Sequence, residues 1–277
     1  MKTVKNKKTL NKLKPLSALL GVAPLLAGSV AFAEDAAEEK PFVSGMLSLM
    51  AESHFISYGQ DVWGEGDAWS DFFFHPTLEL NFDLGNGFTG ILGTWWDVNN
   101  AAPSQPKPSP AIGHSVQEVD VWVGLGYKYE NWSFTLLYQE WMYADQSERI
   151  VDFKVGYSHW LNPSVTIHTR VDNELAGFDN GAVGVLGIAP GKSWEWISLS
   201  FPVNVAFDTA GFHAGDAGFS FVSFGVGASV PLKFIQRGNW SFESGLTYYI
   251  TDDDVIAPNK ANDSSFLVGS AGIKLTF

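Results

Sequence analysis

Acidic and basic side chains recur at every second position in several stretches of this sequence. The residues with this spacing, or in the same alternating context, are Glu79, Glu118, Asp120, Asp152, Lys154, His168, Arg170, Asp172, Glu174 and Glu243. Successive residues of a β-strand point to opposite faces, so a spacing of two places each set on one face. Rings of charge on such a face act electrostatically on ions that pass along it.

The wider set of charged residues on this face has more acids than bases. Its acids are Glu52, Glu79, Glu118, Asp120, Asp152, Asp172, Glu174 and Glu243, and its bases are Lys128, Lys154, Arg170 and Lys274. An acidic excess favours cations, but the same groups could pair across strands and close the interior. The sequence leaves both alternatives open. Arg170, between His168 and Asp172, is the expected centre of a constriction or of a network.

Serine and histidine residues do not form the pattern of a hydrolase. His114 and Ser115 are adjacent, as are Ser158 and His159, and adjacent residues of a strand face opposite ways. The sequence contains no Gly-x-Ser-x-Gly elbow. We therefore expect no enzyme and no catalytic residue or cofactor, with a lipid hydrolase as the least favoured class.

The elements that carry the charged residues alternate apolar and polar side chains. The clearest stretch, residues 72–84, directs Phe74, Leu78 and Leu80 one way and His75 and Glu79 the other. Eleven strands are predicted at residues 43–56, 72–84, 88–98, 116–129, 132–142, 149–161, 165–175, 194–206, 219–232, 240–250 and 265–277. The predicted fold class is all-β.

The N-terminus has the pattern of a secretory signal peptide. Six lysines precede an apolar stretch, and Ala31-Phe32-Ala33 forms a cleavage site before Glu34. Removal of these lysines from 17 basic residues leaves 11 against 30 acidic ones, a net charge of −19. Nucleic acid is therefore not an expected partner. Zero cysteines are compatible with an oxidising compartment.

The C-terminal strand points to the outer membrane. Phe277 ends an apolar alternating strand, which resembles the last strand that outer-membrane β-barrels present to their assembly machinery. No later apolar stretch approaches the roughly 20 residues of a spanning helix. The core of a bilayer holds no water that could hydrogen-bond to the backbone. An all-β chain can therefore span it only as a closed barrel, in which the strands satisfy one another.

Strand parity sets the expected number of strands at twelve. Bacterial barrels have even numbers, short periplasmic turns and longer external loops. Counting from both ends leaves one strand missing before residue 194, and residues 182–189, closed by Pro190-Gly191, fit that place. The expected organisation is a signal peptide at 1–33, an acidic segment at 34–41 and a barrel at 42–277.

Aromatic side chains cluster near the predicted strand ends, as Trp95, Trp132 and Trp160 illustrate. Such clusters are typical of the girdles of membrane barrels, although aromatic residues favour strands in general. Two acidic loops, one with Asp61, Trp63 and Trp69 and one with Asp252, lack the spacing of an EF-hand. We therefore expect solvated loops and no metal site.

Two glycine-rich stretches resemble a known family. Gly87-Phe88-Thr89-Gly90, followed by Gly93-Thr94-Trp95, and Glu118-Val119-Asp120 before Gly124-Leu125-Gly126-Tyr127 are similar to the TorF-type porins of Gram-negative outer membranes. The resemblance covers the first half of the barrel. It implies passive transport of small solutes and no catalytic residues.

Together these patterns predict an exported porin-like barrel in a Gram-negative outer membrane. Its expected partners are outer-membrane lipid and lipopolysaccharide, the barrel assembly machinery and small cationic or neutral solutes. The alternative is a binding or structural barrel that does not conduct.

Overall fold

A computed structural model describes residues 41–64, 69, 72–99, 115–143, 146–175, 177–257 and 264–277 of the chain. The predicted signal peptide and most of the predicted acidic segment lie outside these residues, as do Glu65, Asp67 and Asp71 of the first acidic loop. The described residues form strands, turns and loops without a helix. None of them belongs to a helix that is long and apolar enough to cross a membrane.

The strands account for most of the described chain. In chain order they are β1 (Val43–Glu52), β2 (Ile56–Ser57), β3 (Gln60–Asp61), β4 (Phe73–Gly85), β5 (Phe88–Val98), β6 (Val116–Tyr129), β7 (Trp132–Met142), β8 (Ser147–Tyr157), β9 (Ser164–Asn173), β10 (Gly181–Ile188), β11 (Gly191–Ser193), β12 (Ser198–Ser200), β13 (Val203–Asp208), β14 (Gly218–Pro231), β15 (Asn239–Thr251) and β16 (Ser265–Thr276).

Twelve of these strands form a closed antiparallel barrel, which confirms the predicted fold class and strand number. The ring runs β1, β4, β5, β6, β7, β8, β9, β10, β13, β14, β15, β16, and β16 pairs with β1. Phe277 extends this closing pair, because its amide and carbonyl both bond to Gly45. In the closed ring every strand hydrogen-bonds to a neighbour on both sides, so the barrel has no free edge.

The two ends of the barrel differ in the length of their connections. One end, here called the turn end, carries the short connections 86–87, 130–131, 158–163, 194–197 and 232–238 and both termini of the barrel. The two-residue connection Asn86-Gly87 has positive φ at both residues, as a type I′ hairpin turn requires. The opposite end, the loop end, carries six connections, of which the longest are 53–72 and 99–115.

The predicted eighth strand exists but does not end where the sequence indicated. Strand β10 is followed after Ala189-Pro190 by β11, and the turn lies at 194–197 rather than at Pro190-Gly191. The following strand is likewise divided into β12 and β13 at Phe201-Pro202. Each proline lacks an amide hydrogen and so interrupts the ladder without ending the strand.

The outer wall of the barrel is apolar and the inner wall is polar. Along β4 the exposed residues Phe74 and Leu78 alternate with the buried residues His75, Thr77 and Glu79, as predicted. Exposed large apolar side chains occur on every barrel strand, and many of them are aromatic. A soluble protein rarely exposes so large an apolar surface, whereas a membrane barrel requires a belt of this kind.

Candidate functional site

A short hairpin from the loop end folds into the barrel interior. It comprises residues 53–64, which follow β1, and its two arms β2 and β3 pair Ile56 with Asp61 and Ser57 with Gln60. Its apolar residues Phe55, Ile56 and Trp63 are buried. We call this segment the plug hairpin.

The tip of the plug hairpin reaches the opposite wall. The ring of Tyr58, at the tip, lies 3.6 Å from the ring of His168 on β9 and 6.3 Å from that of Trp141 on β7, centroid to centroid. In the twelve-strand ring β9 is the seventh strand counted from β1, so it lies across the lumen from the strand that begins the hairpin. The hairpin therefore spans the interior.

Burial also fixes the chemistry of the tip. Desolvation, reinforced by the Asp152 carboxylate, raises the pKa of Tyr58 well above its usual value. The hydroxyl therefore stays protonated. Ring packing against His168 and Trp141 holds the tip to the wall.

A glycine allows the tip to approach the wall. Gly59 has φ +92°, and a Cβ atom there would overlap the ring of Phe221 on β14. Any other residue would be strained by the backbone conformation and by the collision. Gly59 thus lets the hairpin contact β14 in addition to β7 and β9.

The base of the plug hairpin is tied to the wall near β4 and β5. The indole of Trp63 donates to Asp97 at 2.9 Å. Asp97 also contacts the Nε2 atom of His75 at 3.2 Å, and the Nδ1 atom of His75 contacts Glu52 at 2.7 Å. These buried polar groups all have partners, as a stable interior requires.

Two further loops from the loop end cover the plug hairpin. The connection 209–217 buries Phe212 and His213, and the connection after β15 buries Val255 and Ile256. Ala214 and Ile256 form a bridge between these loops. Phe212, Val255 and Ile256 belong to the same apolar cluster as Tyr58.

Arg170 joins the loops to the wall. Its guanidinium donates to the carbonyl of Phe212 at 2.7 Å and to that of Asp179 at 3.1 Å, and it forms an ion pair with Glu148. The guanidinium also lies 4.1 Å from the centroid of the Phe212 ring. The sequence predicted a network centre or a constriction here, and the structure shows a network centre.

Other predicted interior residues form ion pairs and hydrogen bonds on the inner wall. His168 contacts Asp152 at 2.5 Å and Lys154 contacts the same carboxylate at 3.5 Å. Glu79 accepts from Trp122 at 3.2 Å. These contacts occupy the acids that would otherwise face a permeant ion.

Glu118 and Asp120 form a second acidic group with Glu148. Glu118 and Asp120 are buried on the same face of β6, and the Tyr143 hydroxyl donates to Glu148 at 2.8 Å. Burial, with the charge of Glu118, raises the pKa of Tyr143 well above its usual value. Glu148 is the member of this group that pairs with Arg170.

Glu243 lies in a smaller group on the far wall. It accepts from Ser229 at 2.8 Å and pairs with Lys274 at 3.3 Å. Its carboxylate is fully buried. The structure does not bring it to the Arg170 network.

Asp172 and Glu174 do not line the interior, contrary to the prediction. A register shift pairs Arg149 with Asp172 and Ile150 with Arg170, so an extra residue is inserted in β9 between Arg170 and Asp172. This bulge turns Asp172 outward, where it pairs with the exposed Arg149. Glu174 is exposed in the next loop and accepts from the amide of Ser147 at 2.8 Å.

His75, His168 and His213 each contact an acid and are buried. Ser158 and His159 lie in a turn, and Trp63 and Trp69 point to opposite sides of the wall instead of stacking together. Among the described residues no group of acids and histidines has the geometry of a metal site.

The plug hairpin is the main functional element that sequence reasoning missed, because its arms were assigned partly to β1 and partly to an acidic loop. A signal was present. Phe55, Ile56, Val62 and Trp63 are apolar residues in a connection expected to face water, and Tyr58-Gly59 supplies a turn between them. Apolar residues that flank a turn indicate a hairpin that packs on something.

Known protein families and curated proteins give no match to this chain. Solved structures give several, at low identity. The translocator domain of the autotransporter NalP from Neisseria meningitidis is 10% identical, with a TM-score of 0.44 over 87% of this chain and 90% of that one. LpxR from Salmonella typhimurium is 9% identical, with a TM-score of 0.43 over 84% and 100%. The porin NanC is 9% identical, with a TM-score of 0.42 over 83% and 98%. Likeness at this level carries no information on function.

Proposed function

We propose that this protein is an outer-membrane barrel of the porin type whose lumen is closed by the plug hairpin in its resting state. One observation carries the proposal: the hairpin spans the lumen from β1 to β9 and its tip is 1% exposed. The apolar outer wall, the longer connections at one end and the terminal Phe277 support insertion in the outer membrane. The resemblance to TorF-type porins supports the same class.

The orientation of the barrel in the membrane follows from the same features. We assign the loop end to the cell exterior and the turn end to the periplasm, because bacterial barrels carry longer loops outside. Insertion would require the assembly machinery that recognises C-terminal strands, and the apolar belt would contact outer-membrane lipid and lipopolysaccharide.

Thiol labelling tests location and closure together, because the sequence contains no cysteine. Single cysteines would be introduced as Gln60→Cys in the hairpin, Asp253→Cys in an external loop and Gln236→Cys in a periplasmic turn. With a bulky maleimide on intact cells, we expect only Asp253→Cys to react. Gln236→Cys should react once the outer membrane is permeabilised, whereas Gln60→Cys should stay protected until unfolding.

Two outcomes would oppose the proposal. Reaction of Gln60→Cys as fast as Asp253→Cys would place the hairpin outside the lumen. Reaction of Gln236→Cys on intact cells, with Asp253→Cys protected, would reverse the orientation.

An opened lumen is expected to prefer cations, since low-dielectric walls focus the field of the interior acids. The test uses a protein whose residues 56–61 are replaced by a glycine-serine linker. In that background Glu118→Gln with Asp120→Asn should move the reversal potential in a salt gradient towards zero. Asp172→Asn with Glu174→Gln is the matched control, removes the same charge from outside the lumen and should change little. Equal shifts would remove Glu118 and Asp120 from the pathway.

A further inference from the structure

One buried histidine connects the two ends of the plug hairpin. Glu52 is the last residue of β1 and directly precedes the hairpin, and its carboxylate contacts the Nδ1 atom of His75 at 2.7 Å. Trp63, near the other end, donates its indole hydrogen to Asp97. The carboxylate of Asp97 contacts the Nε2 atom of His75 at 3.2 Å. His75 therefore lies between the acid that precedes the hairpin and the acid that holds its far end.

The apolar base of the plug hairpin packs on the same histidine ring. The ring centroids of Phe55 and His75 are 5.5 Å apart, and those of His75 and Trp95 are 4.8 Å apart. The side chain of His75 is 3% exposed and that of Asp97 is 0% exposed. The docked hairpin, through Phe55 and Trp63, therefore covers both groups.

The hydrogen-bonding groups around His75 define the charge of its ring. A neutral imidazole donates from one nitrogen and accepts at the other, whereas an imidazolium donates from both. Both nitrogens of His75 contact carboxylates, which can only accept when they are ionised. The doubly protonated ring satisfies both carboxylates at once. In a neutral ring one nitrogen lone pair would face a carboxylate oxygen in a buried site, which is costly.

The elements packed against His75 present acids to it. Strand β1 presents Glu52, β5 presents Asp97, and the hairpin presents the uncharged ring of Phe55. In the part of the chain that the structure describes, both acids form ion pairs with His75 alone. A further acid, Glu118 on β6, is the register partner of Asp97 and is 5% exposed. Loss of the ring proton would therefore leave buried carboxylates without a positive partner.

We propose that His75 is an imidazolium in the closed barrel and that its proton holds the plug hairpin in the lumen, a proposal that rests on the proposed closure. While the proton is present, the charge of the ring offsets the two carboxylates, and the hairpin can cover them. When the proton is lost, the acids repel each other and regain water only if the hairpin undocks. Docking is therefore favoured at neutral pH and weakens as the pH rises.

Planar-bilayer recording of the full-length barrel tests this pH dependence, with the pH raised from about 7 to about 9.5, below the usual range of lysine and tyrosine. Wild-type protein should be closed at first, and its open probability should rise at least about tenfold. His75→Gln has no ring proton and should already open at neutral pH, by a similar factor. Glu52→Gln should stay closed throughout, because its amide can donate to one nitrogen of a neutral ring while the other nitrogen donates to Asp97.

His213→Gln is the matched control for these variants. His213 is a buried histidine of the connection 209–217 and contacts one acid, Asp208. A neutral ring satisfies one acid, so this variant should keep the pH profile of the wild type. A heat-modifiable band on a gel verifies folding of each variant.

Nitrogen NMR of the histidine-labelled barrel reads the charge of the ring directly. The signals of His75, assigned by their absence from His75→Gln, should show hydrogen on both ring nitrogens at neutral pH. A merely structural role of His75 in packing would not require this charge.

Any of four results would overturn the inference: a neutral His75 ring at neutral pH, a wild type that stays closed across the pH range, a His75→Gln variant that stays closed, or a pH profile that Glu52→Gln keeps or His213→Gln abolishes. A closed wild type with a neutral ring fails this inference alone. A wild type that conducts steadily at neutral pH fails the proposed closure instead, whatever the charge of His75.

Discussion

At the scale of single residues, two arginines of this barrel show how environment decides what an ion pair does. Arg170 is 5% exposed and pairs with Glu148 inside the lumen, whereas Arg149 is exposed and pairs with Asp172 on the outer wall. A buried charge that loses its partner stays desolvated, while an exposed one returns to water. The inner arginine should therefore be the one that holds the loops.

Arg170→Gln should reduce the free energy of unfolding by about 3–5 kcal/mol, because Glu148 would be left buried and unpaired. It should also free the connection 209–217, whose Phe212 carbonyl would lose its donor. Arg149→Gln is the matched control and should leave unfolding nearly unchanged. Urea unfolding in phospholipid vesicles measures both variants, and similar losses would show that the network around Arg170 does not hold the interior together.

At the scale of elements, alternation predicted the barrel strands because each strand separates a lipid face from a polar face. The alternation of faces holds even in β10, a strand that the sequence indicated only through the even number of strands expected of a barrel. Local insertions, in contrast, could not be predicted from this alternation. The bulge in β9 adds one residue without any change in composition, so Asp172 was assigned to the wrong face. The plug hairpin was missed because its docking partners, His168, Trp141 and Phe221, come from distant strands.

We expect docking of the plug hairpin to depend on Gly59, which lies against the ring of Phe221. Gly59→Ala should undock it, because the new methyl group collides with the ring and the backbone has φ +92°. Gly177→Ala is the matched control: its φ is +91° with nothing within 4 Å, so it adds only the backbone cost of about 1–2 kcal/mol. Limited proteolysis should cleave residues 53–64 in Gly59→Ala alone. Cleavage absent from both variants would mean that the hairpin does not need this approach.

At the scale of the whole molecule, the barrel combines a wall suited to a bilayer with an interior that its own loops fill. Acids line the inner wall, but Asp152 pairs with Lys154 and His168, Glu148 pairs with Arg170, and Glu243 pairs with Lys274. The sequence could not decide between an open and a paired interior, because that choice depends on where loops pack. The proposed closure would therefore be a property of the assembled barrel.

Single-channel recording in planar bilayers tests closure most directly. Wild-type protein should insert, as a heat-modifiable band verifies, and show no steady conductance. Replacement of residues 56–61 by a glycine-serine linker should produce discrete openings, whereas Arg149→Gln, on the outer wall, should behave as the wild type does. Steady conductance by the wild type, unchanged by the replacement, would contradict the account that the plug hairpin closes this barrel.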